Sequence, residues 1–345
     1  MGGLPMRRRE VLGAAAALPI ASSAATAAGA AGGTPRGIRR LSPKLDAILD
    51  ASGPVETLGG GYTWSEGPLW VPRAGGMLLF SDVPANRIWR WRREQGFDLF
   101  LEPSGLAGPI PPSIREAGAN GLALDGRGRL LIADSGSRTV ARLDFATAKK
   151  TVVVDRFEGK RFNSPNDVIC ASDGAIYFTE PPYGLAGDGN SPLRELDFCG
   201  VYRLGADGQL AVVDRSLTRP NGIALSPDES TLYVAVSDPK GPVLVVYTLD
   251  ARGMPTAKRV LVDFAADLAA GGQGLPDGMK VAAEGHLFAS GPGGMHVLSP
   301  EGERLGLIQT GDVISNCTIG EGGAALYMTS NHDIARISLK PRRAA

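Results

Sequence analysis

Six oxygen-bearing side chains stand at the heads of apolar runs along this chain: Glu66, Asn120, Asn166, Asn221, Asp277 and Asn316, with Asp167 directly behind Asn166. Asparagine or aspartate before glycine is an ordinary turn residue, so any one head alone reads as structural. Six heads spaced on average by roughly 50 residues read as a repeat whose equivalent positions converge. The set mixes carboxylates with carboxamides and holds no imidazole or thiol, which suits a hard divalent cation. Calcium fits best because it takes about six to eight oxygens in loose geometry, with Zn²⁺ or Mn²⁺ as alternatives. A cation so held polarises a carbonyl or phosphoryl oxygen and acidifies a bound water, and the chemistry expected is hydrolysis. Asp277 and Asp167 are the candidate bases, and the neighbouring asparagine amides, Asn166 among them, are placed to hold a developing oxyanion.

Positioning these heads requires a particular architecture. A period of roughly 50 residues belongs to propeller blades of four short strands each. The second repeat shows the pattern most cleanly, with strand-like runs at 122–124, 130–133, 139–143 and 151–154 and the turn Asp125-Gly126-Arg127-Gly128 between the first two. The sixth repeat ends one strand short. An open ring would expose pairing edges, so residues 55–58 are expected to supply the missing outer strand. The fold class read from the sequence is therefore an all-β, six-bladed β-propeller over residues 55–340. In such a ring the heads share one face with the long connections 102–119, 181–199 and 265–276, where function is expected.

Composition agrees with a β-rich fold: among 345 residues there are 47 Gly and 25 Pro, and aromatics make up only 6%. Thirty-six basic and 36 acidic residues cancel, so nothing in the charge balance points to nucleic acid or a membrane surface. Cys170, Cys199 and Cys317 form neither a disulfide framework nor a C-x-x-C site and read as buried thiols. His286, His296 and His332 fall away from the heads and read as structural or exposed. Asp82 and Asp134 end second strands and read as turn holders. No Gly-x-Ser-x-Gly elbow or phosphate-cradling glycine loop is present, which leaves serine-hydrolase and nucleotide readings unsupported. At the N-terminus, Arg8-Arg9 before an Ala-rich run reads as a twin-arginine signal over residues 1–31. Residues 32–54 read as a basic linker and a short helix capped at Ser42-Pro43. The expected location is periplasmic or secreted, with the twin-arginine export machinery as a partner and no membrane association after cleavage.

The stretches Ser65-Glu66-Gly67-Pro68, Asn163-Ser164-Pro165-Asn166-Asp167-Val168, Tyr177 through Gly184, Arg219-Pro220-Asn221-Gly222, Pro276-Asp277-Gly278-Met279 and Ser315-Asn316-Cys317 together resemble the SMP-30/gluconolactonase/LRE family of six-bladed propellers. The resemblance runs from about Glu66 to Ile337. It implies metal-dependent hydrolysis of a sugar lactone, with Glu66, Asn221 and Asp277 matching the metal-binding residues and Asn166 a further asparagine of the site. Asp277 also matches the residue discussed as the base. Asn120, Glu180, Tyr183 and Asn316 are the positions the resemblance offers for substrate contact. Three departures concern the substrate: Glu180 stands where bacterial members usually carry Asp, a His usual near Asp134 is missing, and Ser164 replaces an Arg of animal members. The expected activity is gluconolactonase-like, on a small-molecule lactone. The alternatives are a phosphotriesterase or other esterase on the same site, and a non-catalytic ligand-binding propeller.

Overall fold

The computed structural model describes residues 35–340, and the expected signal segment at 1–31 lies outside the described residues. Four-stranded antiparallel blades succeed one another. Blade one is Ser65–Val71, Met77–Asp82, Arg87–Arg92 and Gly96–Leu101; blade two is Ala119–Leu124, Leu130–Asp134, Thr139–Leu143 and Lys150–Val154. Blade three is Val168–Cys170, Ile176–Glu180, Gly200–Leu204 and Leu210–Asp214, and blade four is Pro220–Leu225, Thr231–Val236, Val243–Leu249 and Pro255–Asp263. Blade five is Met279–Val281, Leu287–Gly291, Gly294–Leu298 and Arg304–Thr310. Blade six is Asn316–Gly320, Ala325–Ser330 and Asp333–Ser338, completed by Glu56–Gly60, which pairs antiparallel with Asp333–Ser338. The ring is thus closed by a strand from the start of the propeller, as the missing strand in the sixth repeat requires.

One expectation is corrected. Arg36–Arg40, read as linker, is a fifth strand on blade five, in register with Gly306–Thr310 from Arg40↔Gly306 to Arg36↔Thr310. Its basic composition hid a short edge strand, and charged side chains are what an edge strand carries when its neighbour is solvent. Arg36 reaches across to accept closure, donating to the Val55 carbonyl at 2.7 Å and to Thr57 Oγ1 at 2.7 Å. The helix that follows is a single 3₁₀ turn, Pro43–Ala47, with Ser42 Oγ accepting from Lys44 N. Leu45 and Leu49 beside it are fully buried under blades five and six.

Second strands such as Met77–Asp82 and Leu130–Asp134 are buried along their whole length, because each is covered by a blade on both faces. Apolar clusters fill the gaps between neighbouring blades. Val71, Leu79, Leu122 and Ile132 meet between blades one and two; Phe178 and Tyr202 stack with centroids 5.1 Å apart on the side of blade three facing blade two. Each such side chain contributes about 1.5–3 kcal/mol of burial, so the ring is held by its interfaces and not by any single blade.

At the hub, hydroxyls stitch the blades head to head. At or just beyond the end of the second strand, Ser81 donates to the Asn120 carbonyl at 2.7 Å, Ser135 to Pro165 at 2.7 Å and Thr179 to Asn221 at 2.6 Å. Ser237 donates to the Pro276 carbonyl, and Ser290 to Ser315 at 3.0 Å. Ser315, whose hydroxyl also meets Thr329, donates to the Ser65 carbonyl at 2.7 Å and brings the series back to blade one. Each link fastens a backbone carbonyl at or next to a head residue. Among the described residues, no helix is long and apolar enough to cross a membrane.

Candidate active site

The inner strands deliver their first residues to one mouth of the ring. Register shifts occur at the heads, between Glu66 and Leu69, Ala119 and Leu122, and Pro220 and Ile223. Such bulges break the alternation of a strand and re-aim a side chain, here toward the axis. The glycines behind the heads allow close packing around it. Gly67 sits at φ +51°, and a Cβ there would lie 2.0 Å from the Asn120 carbonyl oxygen; at Gly222 it would lie 2.1 Å from that of Asp277.

A cavity of about 490 Å³ opens at this mouth. Glu66, Asn120, Asn166, Asn221 and Asp277 line its floor, and Trp64, Tyr183, Arg115, Glu116 and Arg219 are among its walls. Trp64 is steadied from below, since Asp82 accepts from the backbone N–H groups of Thr63 and Trp64. Tyr183 donates to the Ser237 carbonyl at 3.3 Å and carries the Arg219 guanidinium 5.6 Å above its ring. Arg115 is bridged to Asp188 at 2.9 Å.

Two carboxylates dominate the floor. Glu66 Oε2 accepts from Gly67 N at 2.9 Å and from Asn316 Nδ2 at 3.4 Å. Burial pushes the Glu66 carboxyl up to about 8, against the pull of the Gly67 N–H, and the Asp167 charge adds to the rise. Asp277 is also raised well above the usual carboxylate range, first by burial and then by the charges of Glu66, Asp167 and Glu116, while the Asn221 amide pulls it back. Its Oδ1 is buried without a hydrogen-bond partner. Repelling buried carboxylates with an orphaned oxygen form a seat for positive charge. Among the described residues no three His, Cys, Asp or Glu side chains are grouped to hold an ion, so a seat here depends on carboxamides as well. Asn221 is prepared for that: its Nδ2 donates to Ser237 Oγ at 2.9 Å, which leaves its Oδ1 as the free end of the amide. The donors present, two carboxylates and asparagine oxygens, fit a hard divalent cation.

The family model described as SMP-30/Gluconolactonase/LRE-like region matches residues 64–332. The chain belongs to this family. A gluconolactonase of Zymomonas mobilis subsp. mobilis is 46% identical over 349 residues, covering 97% of this chain and 98% of that protein. A pentonolactonase of Haloferax volcanii is 28% identical, covering 77% of this chain and 80% of its own. Among solved structures, a gluconolactonase from Xanthomonas campestris superposes with a TM-score of 0.76 at 32% identity, covering 89% of this chain and 96% of that one. Regucalcin from Agrobacterium tumefaciens, described as a calcium-binding protein, shares the fold with a TM-score of 0.65 at 20% identity, over 84% of this chain and 96% of its own.

Within this SMP-30/gluconolactonase propeller the structure brings together Glu66, Asn120, Asn166, Asn221, Asp277 and Tyr183, and leaves three expected site residues outside the cavity lining. Asp167 turns away from the mouth: Oδ1 accepts from Val168 N at 2.9 Å and Oδ2 from Ile223 N at 3.2 Å, so both oxygens are spent on the backbone of blades three and four. Asn316 lies beneath Glu66, its Oδ1 accepting from Cys317 N at 2.8 Å. Glu180, expected at the substrate, is fully buried and accepts from the Asn163 backbone N–H and from Asn163 Nδ2 at 3.0 Å. Burial pushes Glu180 up to about 8, its longer side chain pinning the 163–166 segment from within blade three. Sequence reasoning missed Trp64, Arg115, Glu116 and Ser237 as wall residues. None falls on a repeat head, and only the long 102–119 connection pointed to Arg115 and Glu116.

The histidines take no part in the site. His296 is buried against Phe264, with ring centroids 4.8 Å apart, and burial lowers it to about 4. The three cysteines are unpaired.

Proposed function

We propose that the protein hydrolyses a sugar lactone of the gluconolactone type in the cavity at the ring mouth. The observation that carries the reading is the buried, unpartnered Oδ1 of Asp277 facing a second buried carboxylate across a floor of asparagines. Membership of a lactonase family and the 46% identity to a gluconolactonase over nearly the whole chain make the class a hydrolase of cyclic esters.

The residues suited to hold a divalent cation are Glu66, Asn166, Asn221 and Asp277, with Ca²⁺ first and Zn²⁺ or Mn²⁺ as alternatives. Such a cation supplies Lewis acidity toward a carbonyl oxygen and lowers the pKa of a water. The chain's own contribution begins with Asp277, which takes the proton of the attacking water. Asn120 and Asn166 present carboxamides to the oxygen on which charge develops. Trp64 and Tyr183 wall the ring of the substrate, and burial raises the Tyr183 phenol so that it stays a hydrogen-bond donor. Ser237 holds the Asn221 amide and the Pro276 carbonyl together, so the segments carrying Asn221 and Asp277 are set by one hydroxyl. Export by the twin-arginine route and a periplasmic or secreted location belong to the same proposal, supported by Arg8-Arg9 and the Ala-rich run behind them.

The test is hydrolysis of glucono-δ-lactone by the leaderless protein, stripped with EDTA and titrated with Ca²⁺, Mn²⁺ and Zn²⁺, with a phosphotriester as control. Turnover of the lactone restored by one cation is the expected result. Cation binding without turnover of any lactone would overturn the proposal in favour of a binding propeller. Preference for the phosphotriester would move the substrate class.

A further inference from the structure

Opening a lactone requires two proton transfers, and the floor residues account for one. Attack of water forms a bond from its oxygen to the carbonyl carbon, and its proton goes to Asp277. Collapse then breaks the bond between that carbon and the ring oxygen. The electron pair goes to the ring oxygen, which leaves as a sugar hydroxyl and needs a proton of its own.

We propose that Glu116 is the general acid that protonates this leaving oxygen. The inference rests on the lactonase reading of the site. Glu116 and Asp277 line the same cavity, and Glu116 reaches it from the loop between blades one and two instead of from the floor. Its Oε2 is buried without a hydrogen-bond partner, and its Oε1 lies 3.6 Å from Arg115, whose guanidinium is committed to Asp188 at 2.9 Å. The carboxyl therefore keeps one oxygen without a partner, on a side chain that lines the cavity.

Glu116 is also held still. Its backbone N–H and that of Arg115 both donate to the Gly184 carbonyl, at 3.2 and 2.8 Å, and Ala186 N donates to Ser113 at 2.9 Å. Ile114 pairs with Leu185 in an isolated bridge, and Ile114, Ala117 and Leu185 pack into a small apolar cluster of their own. Two long loops thus brace one another, with Glu116 at their seam. A general acid must keep its proton near neutrality. Burial raises Glu116 to about 6, with Arg115 pulling it down and Asp188 pushing it up, so part of the population carries the proton near neutrality. In each cycle the proton given to the ring oxygen is replaced from water, and that taken by Asp277 returns to it, so the net change is one water consumed.

Leaving-group dependence separates an acid from a wall residue. Glucono-δ-lactone expels an aliphatic alkoxide that must be protonated, whereas dihydrocoumarin expels a phenolate that leaves without help. Steady-state rates for both are measured for the wild-type cation-loaded protein and for Glu116→Gln and Glu116→Asp. In Glu116→Gln, kcat/KM for gluconolactone falls by about 10²–10⁴ and that for dihydrocoumarin by less than tenfold. Glu116→Asp recovers part of the loss on gluconolactone alone. Calorimetric cation affinity and the thermal midpoint report whether Glu116→Gln is folded, and Glu116→Asp supplies the comparison if it is not. Equal losses on both lactones, or none on either, overturn the assignment of Glu116 while leaving the lactonase reading intact. Wild-type protein that opens neither lactone overturns both.

Discussion

Asp167 offers the sharpest separation between two roles that a carboxylate at a repeat head can play. If it is a brace, its replacement is read in stability; if it is a base, in turnover. Its two oxygens accept from Val168 N and Ile223 N at 2.9 and 3.2 Å, and the residue is 2% exposed. Asp167→Ala leaves both N–H groups buried and unpaired, and at about 1–3 kcal/mol for each the cost is about 2–6 kcal/mol. Asp167→Asn keeps one carbonyl acceptor and turns an NH₂ toward the other N–H, for a cost of about 1–3 kcal/mol. The charge itself adds little to the folded state, because burial raises the Asp167 carboxyl and Lys280 only partly offsets it. Urea unfolding followed by tryptophan fluorescence gives the stability change, and gluconolactone hydrolysis on the same samples gives kcat. The expected Asp167→Asn protein has a lowered midpoint and a kcat within about tenfold of wild type. A loss of about 10²–10⁴ in kcat with an unchanged unfolding midpoint would refute the reasoning and return Asp167 to the chemistry.

Asp277→Asn keeps the size of the side chain and removes the base, so kcat falls by about 10²–10⁴ while circular dichroism stays native. Ser237→Ala frees the Asn221 amide to rotate and weakens cation binding by about tenfold in calorimetry, the equivalent of one lost hydrogen bond, and Ser237→Thr restores it. In EDTA, raised carboxyls on Glu66, at about 8, and on Asp277 mean that the folded state binds more protons than the unfolded one between about pH 4.5 and 8. Stability therefore falls as pH rises through that window, so the thermal midpoint at pH 5 exceeds that at pH 8, and saturating Ca²⁺ narrows the gap. A midpoint that climbs with pH in EDTA would contradict the packing of the floor.

The ring and most of its floor were legible because they follow from a repeat. Equivalent heads on closed blades must converge, so Glu66, Asn120, Asn166, Asn221 and Asp277 could be gathered without coordinates. Asp167 and Asn316 show where that logic stops. Both stand at heads, yet one turns to the backbone N–H groups of Val168 and Ile223 and the other lies beneath Glu66, a choice made by side-chain direction. Glu180 stands outside the cavity lining because its carboxylate is taken by Asn163, a side-chain direction that its motif does not announce. Arg36–Arg40 carries too little apolar alternation to announce a strand, and its pairing with Arg304–Thr310 depends on an edge some 270 residues away. Arg115 and Glu116 lie in a loop without periodicity, where length alone signals function and no rule names the residue.

The hydroxyl links at the hub have a bearing on how such a site can change. Ser81, Ser135, Thr179, Ser237, Ser290 and Ser315 each tie one blade to the carbonyl at the start of the next, so the circumference of the floor belongs to the whole ring. No head can move outward alone; a strain at Ser290, outside the cavity lining, is shared round the circle to Glu66 and Asn221. The rim is bound differently, because the 102–119 and 181–199 loops brace each other and meet the hub only at points such as Tyr183 on Ser237 and Gly184 on Ser164. New substrates can thus be written into the rim one residue at a time, whereas the seat beneath them is inherited as a single piece.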